Sequence, residues 1–148
     1  MIVPDVNLLL YAYDRTAPHH ARALRWWSQC MDGTEIVGIS ALTVLAFVRL
    51  STQSRFFDNA YSVQEAWGVV GAWLRRPIVD RLDLEFADLE YAARLLSGIG
   101  EGGNLTTDAA LAAQAIRWGA VIHSADRDFE RFRQVAWYNP LTNRSTEA

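Results

Sequence analysis

Residues 1–14 read MIVPDVNLLLYAYD, and this stretch decides the fold. A short β-branched run of strand character stops at Pro4-Asp5, and residues 6–13 then read as a short apolar helix. A carboxylate between two apolar segments is costly if buried, because an unpaired charge removed from water shifts its pKa or acquires a partner. Asp5 is thus expected at a strand-to-helix junction. It serves there either as the cap of the following helix or as a ligand of something the rest of the chain must help to hold.

The same alternation continues outward from that junction. HHARALRWWSQCM places Ala23, Trp26, Trp27 and Cys30 at helical spacing, EIVGIS reads as a second strand, and ALTVLAFVRLST is a helix apolar nearly all round. After a loop containing Arg55–Asn59, an amphipathic helix runs from about Ser62 to Leu74, PIVDRLD has strand character, and FADLEYAARLLSGIG is a helix closed by Gly98 and Gly100. The loop EGGN leads to the helix LTTDAALAAQAIRWG, then the strand AVIHSAD, a helical turn RDFERF and a last strand VAWYNP. Strands alternating with helices specify one α/β domain, residues 1–141, with a parallel sheet and helices on both faces; residues 142–148 read as a polar tail that frays.

Composition narrows the function classes. The 148 residues are 51% hydrophobic and 21% charged, the profile of a globular domain long enough to bury its own core. No apolar run approaches the ~20 residues of a membrane span, and the N-terminus lacks a secretory leader pattern. Cys30 is single, which precludes an internal disulfide and fits a cytoplasmic setting. All 14 basic residues are arginine, so the lysine of a two-component receiver or a P-loop nucleotide hydrolase is absent, and no glycine-rich dinucleotide turn follows the first strand. The net charge of -3 opposes non-specific coating of nucleic acid while allowing local phosphate contacts by clustered arginines.

Ligands of parallel α/β sheets bind beyond the carboxyl ends of the strands. Asp5 follows the first strand, and Asp126 and Asp128 follow AVIHSA. Asp108 lies in the first turn of the helix feeding that strand. An antiparallel helix would put it at the wrong edge unless the long loop SGIGEGGNLTT carries it to the carboxyl edge. Each acid has a local explanation: Asp108 beside its own helix N-terminus, and Asp5, Asp126 and Asp128 as caps. Three carboxylates at one edge nevertheless repel unless a cation neutralises them, and oxygen-only ligands suit Mg²⁺ or Mn²⁺ rather than Zn²⁺.

PDVNLLLYAYD, NLTTDAALAAQAI and HSADRDFERF resemble the three signature segments of PIN-domain ribonucleases, and their spacing with the trailing VAWYNPL is similar to the VapC toxins of bacterial toxin–antitoxin pairs. The resemblance implies a PIN-like three-layer fold and a Mg²⁺-dependent endoribonuclease, with Mn²⁺ as a substitute. It also implies a cytoplasmic homodimer that cuts transfer RNA or ribosomal RNA and is silenced by a VapB-type antitoxin. By motif, Asp5, Asp108 and Asp126 match the metal-holding catalytic acids and Asp128 a frequent further acid. Asn7, Thr107 and Ser124 match small polar residues lining the site, or serve only as structural hydrogen bonders. Arg127, Arg131 and Arg133 are candidates for RNA phosphates, or are solvated surface charge. One departure stands out. The family often carries Glu three positions before an Arg in the helix LTVLAFVRL, and counting back from Arg49 gives Ala46, so fewer carboxylates remain and one preformed metal is expected rather than two.

Other residues are assigned structural roles. His19 and His20 diverge on their helix, His123 is expected to be packed or hydrogen-bonded, and Cys30 reads as a small core hydrophobe. The apolar helix around Val44–Leu50, with Trp26 and Trp27, offers hydrophobic surface for self-association. The alternatives to a ribonuclease are a catalytically weakened PIN-like module that binds RNA or protein, and a phosphatase.

Overall fold

The computed structural model describes all 148 residues. Its strands are β1 (Ile2–Pro4), β2 (Val37–Ser40), β3 (Val79–Leu82), β4 (Val121–His123), β5 (Trp137–Asn139) and β6 (Arg144–Thr146). Its helices are α1 (Val6–Tyr13), α2 (His20–Asp32), α3 (Ala41–Ser51), α4 (Val63–Leu74), α5 (Phe86–Ile99) and α6 (Leu105–Arg117), with a 3₁₀ turn at Arg127–Arg131. The sheet order is β3-β2-β1-β4-β5-β6, parallel except for the final antiparallel pair. No helix is long and apolar enough to cross a membrane.

Two cores flank the sheet. On one face α5 and α6 pack through Ala92, Leu95 and a run of buried alanines (Ala109, Ala110, Ala112, Ala113 and Ala115), whose small side chains let α6 lie close to the strands. On the other, α1–α4 enclose an aromatic cluster in which Trp73 meets Phe47 at 4.7 Å and Trp27 at 5.6 Å between ring centroids. Trp26 and Trp27 belong to this core, with only 7% and 3% of their surface exposed. That removes them from the hydrophobic surface on which self-association was expected to draw. Leu45 on α3 and Val63 and Trp67 on α4 remain exposed.

The α5–α6 pair is fastened at one end by Arg117. Its guanidinium donates to both oxygens of the buried Asp88 at 2.7 and 2.9 Å, to Glu85 at 2.8 Å and to the Asp83 carbonyl at 2.9 Å. At the other end α5 stops at Gly100, whose φ of 75° is readily available to glycine. The polar tail does not fray. Residues 144–146 form β6 on β5, and the turn that returns the chain is set by Asn139, whose Oδ1 accepts from Leu141 N at 2.9 Å. Single short polar segments carry little hydrophobic signal, which is why a three-residue edge strand such as RST escapes pattern reading.

Candidate active site

The strand order reverses between β1 and β4: β2 and β3 lie to one side of β1, and β4, β5 and β6 to the other. Such a switch point leaves a crevice at the carboxyl ends of the two central strands. The register pairs Pro4 with His123, so the residues that follow, Asp5 and Ser124, emerge side by side.

Asp5 is buried and fully engaged. Its Oδ1 accepts from Val6 N at 2.6 Å, which makes it the cap of α1, and its Oδ2 accepts from Ser124 Oγ and Asn7 Nδ2, both at 2.7 Å. Asn7 also donates to Ser124 Oγ at 2.9 Å and accepts from Ala125 N at 3.2 Å. Ser124 Oγ accepts from Asp126 N at 2.9 Å, and Asp126 Oδ1 accepts from Asp128 N at 2.9 Å, capping the 3₁₀ turn. A continuous chain of hydrogen bonds thus runs from the first acid to the last. Capping and site formation are served by the same side chains. Burial raises the Asp5 carboxyl to about 6, against the lowering effect of the Ser124 and Val6 hydrogen bonds and with help from the nearby Asp126 charge.

Asp108 comes to the same edge. A helix that feeds the start of a parallel strand must begin above that strand's carboxyl end. The first turn of α6 therefore belongs here, and the expectation that an antiparallel helix puts Asp108 at the wrong edge had the direction reversed. Carboxylate oxygens of Asp108, Asp126 and Asp128 lie within 4.8 Å of one another. Asp5 stands outside this trio and Asp128 inside it, so the compact cluster differs by one member from the three acids singled out by motif. Burial first, then the charges of Asp5, Asp126 and Asp128, push Asp108 up to about 7, and nothing lowers it. Oxygen donors this close are chemically suited to a hard divalent ion.

A cavity of about 350 Å³ opens beside the acids, lined by Asp5, Thr43, Ala46, Arg49, Thr107 and Asp108 among others. Ala46 faces this space, so the missing Glu leaves room rather than a repacked wall. Arg49 was used in the sequence only as a counting mark, yet it shares the cavity with the acids. The signal was its position one turn beyond Ala46 on the same helix face.

The remaining candidates divide. Arg127 is beside Asp126 and pairs with Glu130 at 3.3 Å. Arg131 is held by Glu101 and approaches Asp128 at 3.9 Å. Arg133 lines a separate recess with Arg94, Arg131 and Gln134, which none of the four acids lines. His123 accepts from Trp26 Nε1 at 3.0 Å and stacks edge-on against Tyr138, and burial lowers it to about 4, so it is neutral and structural. Burial pushes the Cys30 thiol up to about 12, as expected of an inert core residue.

Residues 2–135 match the PIN domain family. The chain is 39% identical to Ribonuclease VapC33 of Mycobacterium tuberculosis over 95% of its own length and 99% of that protein, and 38% identical to Ribonuclease VapC37 of the same organism over 95% and 97%. Among solved structures it is similar to M. tuberculosis VapC20, described as a sarcin-ricin loop cleaving toxin. That match has a TM-score of 0.70 and 18% identity, covering 88% of this chain and 93% of the other. It is also similar to DNA-bound VapBC from Salmonella typhimurium, with a TM-score of 0.65, 17% identity and coverage of 94% and 97%. A doubly wound sheet with clustered carboxylates at its switch point, matched along nearly its whole length, belongs to the PIN-domain family and within it to the VapC ribonucleases.

Proposed function

We propose that the acids at the switch point hold Mg²⁺, with Mn²⁺ as a substitute, and that the chain cuts RNA there. The chain is the toxin of a VapBC-type pair, an endoribonuclease, and the approach of Asp108, Asp126 and Asp128 within 4.8 Å is the observation that carries this reading. Asp108, Asp126 and Asp128 would hold the ion with Asp5 behind them, and the ion would supply Lewis acidity and activation of water. Asp5, fixed by Ser124 and Asn7, holds the Asp126 turn in register, and Arg49 faces the cavity where a phosphate would lie. Water attacks phosphorus and passes its proton to a carboxylate of the cluster as the P–O3′ bond breaks, and the leaving 3′ oxygen takes a proton from solvent. The ends formed are a 5′-phosphate and a 3′-hydroxyl.

The substrate proposed is a loop of transfer RNA or ribosomal RNA whose bases can be splayed, in keeping with the sarcin-ricin loop cleaved by VapC20. The solved VapBC complexes among the structural neighbours support a VapB-type antitoxin as partner. An antitoxin arginine is the group such a carboxylate cluster would take bidentately. A cytoplasmic homodimer is proposed on the exposed Leu45, Val63 and Trp67 of α3 and α4. The test is cleavage of structured RNA by the whole chain with Mg²⁺, beside Asp5→Asn and Asp126→Asn variants and an EDTA control. Loss in all three controls is expected, whereas cleavage that persists in EDTA or in either variant would refute a metal-dependent site. Growth arrest on expression, relieved by an antitoxin, tests the toxin role separately.

A further inference from the structure

Besides the acidic cavity the surface carries an arginine-lined groove. Two recesses, of about 550 and 590 Å³, share Arg22, Leu141 and Thr142 and so form one groove between α2 and the β5–β6 turn. Arg22 and Arg25 line the first recess, and Arg22, Arg127 and Arg144 the second. Four of the fourteen arginines thus face this groove, and no Asp or Glu lines it, in a chain whose net charge is -3. Glu130, largely covered, binds both Arg127 and Arg144 at 3.3 and 2.9 Å. That pair keeps a net positive charge, while Arg22 and Arg25 have no carboxylate within pairing distance. The only bond that fixes either is from Arg22 to the Leu141 carbonyl at 3.1 Å, which holds the guanidinium at the groove wall without neutralising it.

The groove reaches the segment that carries one of the acids. Its second recess reaches Ala125 and Arg127, the residues flanking Asp126. A strand of RNA whose scissile phosphate sits over the carboxylates must send its flanking phosphates somewhere. The α5–α6 side offers a recess lined by Arg94, Arg131 and Arg133, in which Arg131 is paired with Glu101 and Arg94 lies over the Tyr91 ring. The α2 side offers a larger trough with two guanidinium groups, Arg22 and Arg25, that pair with no carboxylate. Guanidinium is matched in shape and charge to phosphate, and such contacts position a strand without reading its sequence.

We infer that the groove lined by Arg22, Arg25, Arg127 and Arg144 is a second binding site, which holds the phosphate backbone of the RNA flanking the scissile bond. This inference rests on the ribonuclease reading for its occupant but not for its measurement. Fluorescence anisotropy of a labelled RNA hairpin, in EDTA so that nothing is cut, compares the wild type with R22A/R25A, R22K/R25K and a control, R75A/R81A. The control removes two exposed arginines near the β3 edge of the sheet.

The R22A/R25A change is expected to weaken binding about tenfold. It should also lower the slope of log affinity against log salt by about 1.4, at ~0.7 per phosphate contact with a single strand. R22K/R25K should keep the salt slope, and the control should bind as wild type. With Mg²⁺, R22A/R25A should raise KM and leave kcat unchanged. Wild-type affinity and slope in R22A/R25A, an equal loss in the control, or no RNA binding by wild type would each overturn the proposal. So would a loss of antitoxin binding with RNA binding intact, which would assign the groove to protein. RNA binding with the expected slopes, but no hydrolysis by wild type with Mg²⁺, would sink the nuclease reading and leave the groove standing.

Discussion

Replacing Asp108 with Asn should stabilise the metal-free protein, and the size of the effect follows from the site. A carboxyl raised from the ordinary 3.8 to about 7 by burial and three neighbouring acids represents a ceiling of about 4 kcal/mol of unfavourable ionisation at high pH. Asp108 is only partly buried, and water screens it, so the realised cost is on the order of 1–2 kcal/mol. The sign is fixed by linkage. The folded group holds its proton more tightly than the unfolded one, so the wild type loses stability as pH rises from about 4 to about 7 and gains none above that window. Asp108→Asn removes the ionisation with almost no change in volume. In EDTA at pH 8 its melting temperature should exceed that of wild type by roughly 3–6 °C, and at pH 4 the two should coincide. Mg²⁺ at about a hundredfold excess over Kd should reverse the order, since the ion stabilises only the protein that binds it, by about 2.7 kcal/mol. Differential scanning fluorimetry over that pH range, with and without Mg²⁺, makes the measurement. A variant less stable than wild type at pH 8 in EDTA, or a difference independent of pH, would refute the crowded-carboxylate account.

Three other expectations concern neighbouring residues. Ala46→Glu should place a further carboxylate in the cavity it lines, and isothermal titration should then show tighter Mn²⁺ binding or a second ion; an unchanged isotherm would mean that the α3 face does not reach the ion. Arg49→Ala should lower kcat for RNA on the order of 10²-fold while leaving Mn²⁺ affinity near wild type, because a cavity cation serves the phosphate and not the metal. Arg117→Met should cost about 3 kcal/mol by stranding the buried Asp88 charge, and adding Asp88→Asn should recover part of it in urea melts.

Much of the architecture was legible because each βα junction carries its own signal. Asp5 caps α1 after β1 and Ser40 caps α3 after β2, and the alternation of apolar strands with helices fixes a parallel sheet. The strand β6 was not legible, since its stability comes from pairing with β5 and not from an apolar face of its own. At the site, motif spacing picked out Asp5, Asp108 and Asp126 as a group. Spacing along the chain cannot say that Asp5 spends its oxygens on Val6, Ser124 and Asn7 while Asp128 turns toward Asp108; that depends on the 3₁₀ turn. The arginine groove was equally hidden, because its members lie on α2, the 3₁₀ turn and β6 and meet only in three dimensions. Trp26 and Trp27 illustrate the converse, where a hydrophobic pair in sequence reads as surface or core until packing decides.

The hydrogen bond from Ser124 to Asp5 spans 119 residues of chain. Its consequence is one of timing during synthesis. A ribosome that has made α1 through α5 has produced the first acid but none of its companions, because α6, β4 and the 3₁₀ turn are still to come. With the site proposed above, the nascent chain stays catalytically silent for most of its translation, however well its early helices collapse. An enzyme whose target is RNA is thereby kept from acting on the message and machinery that are making it, and arrested chains ending before Ser124 should show no cleavage.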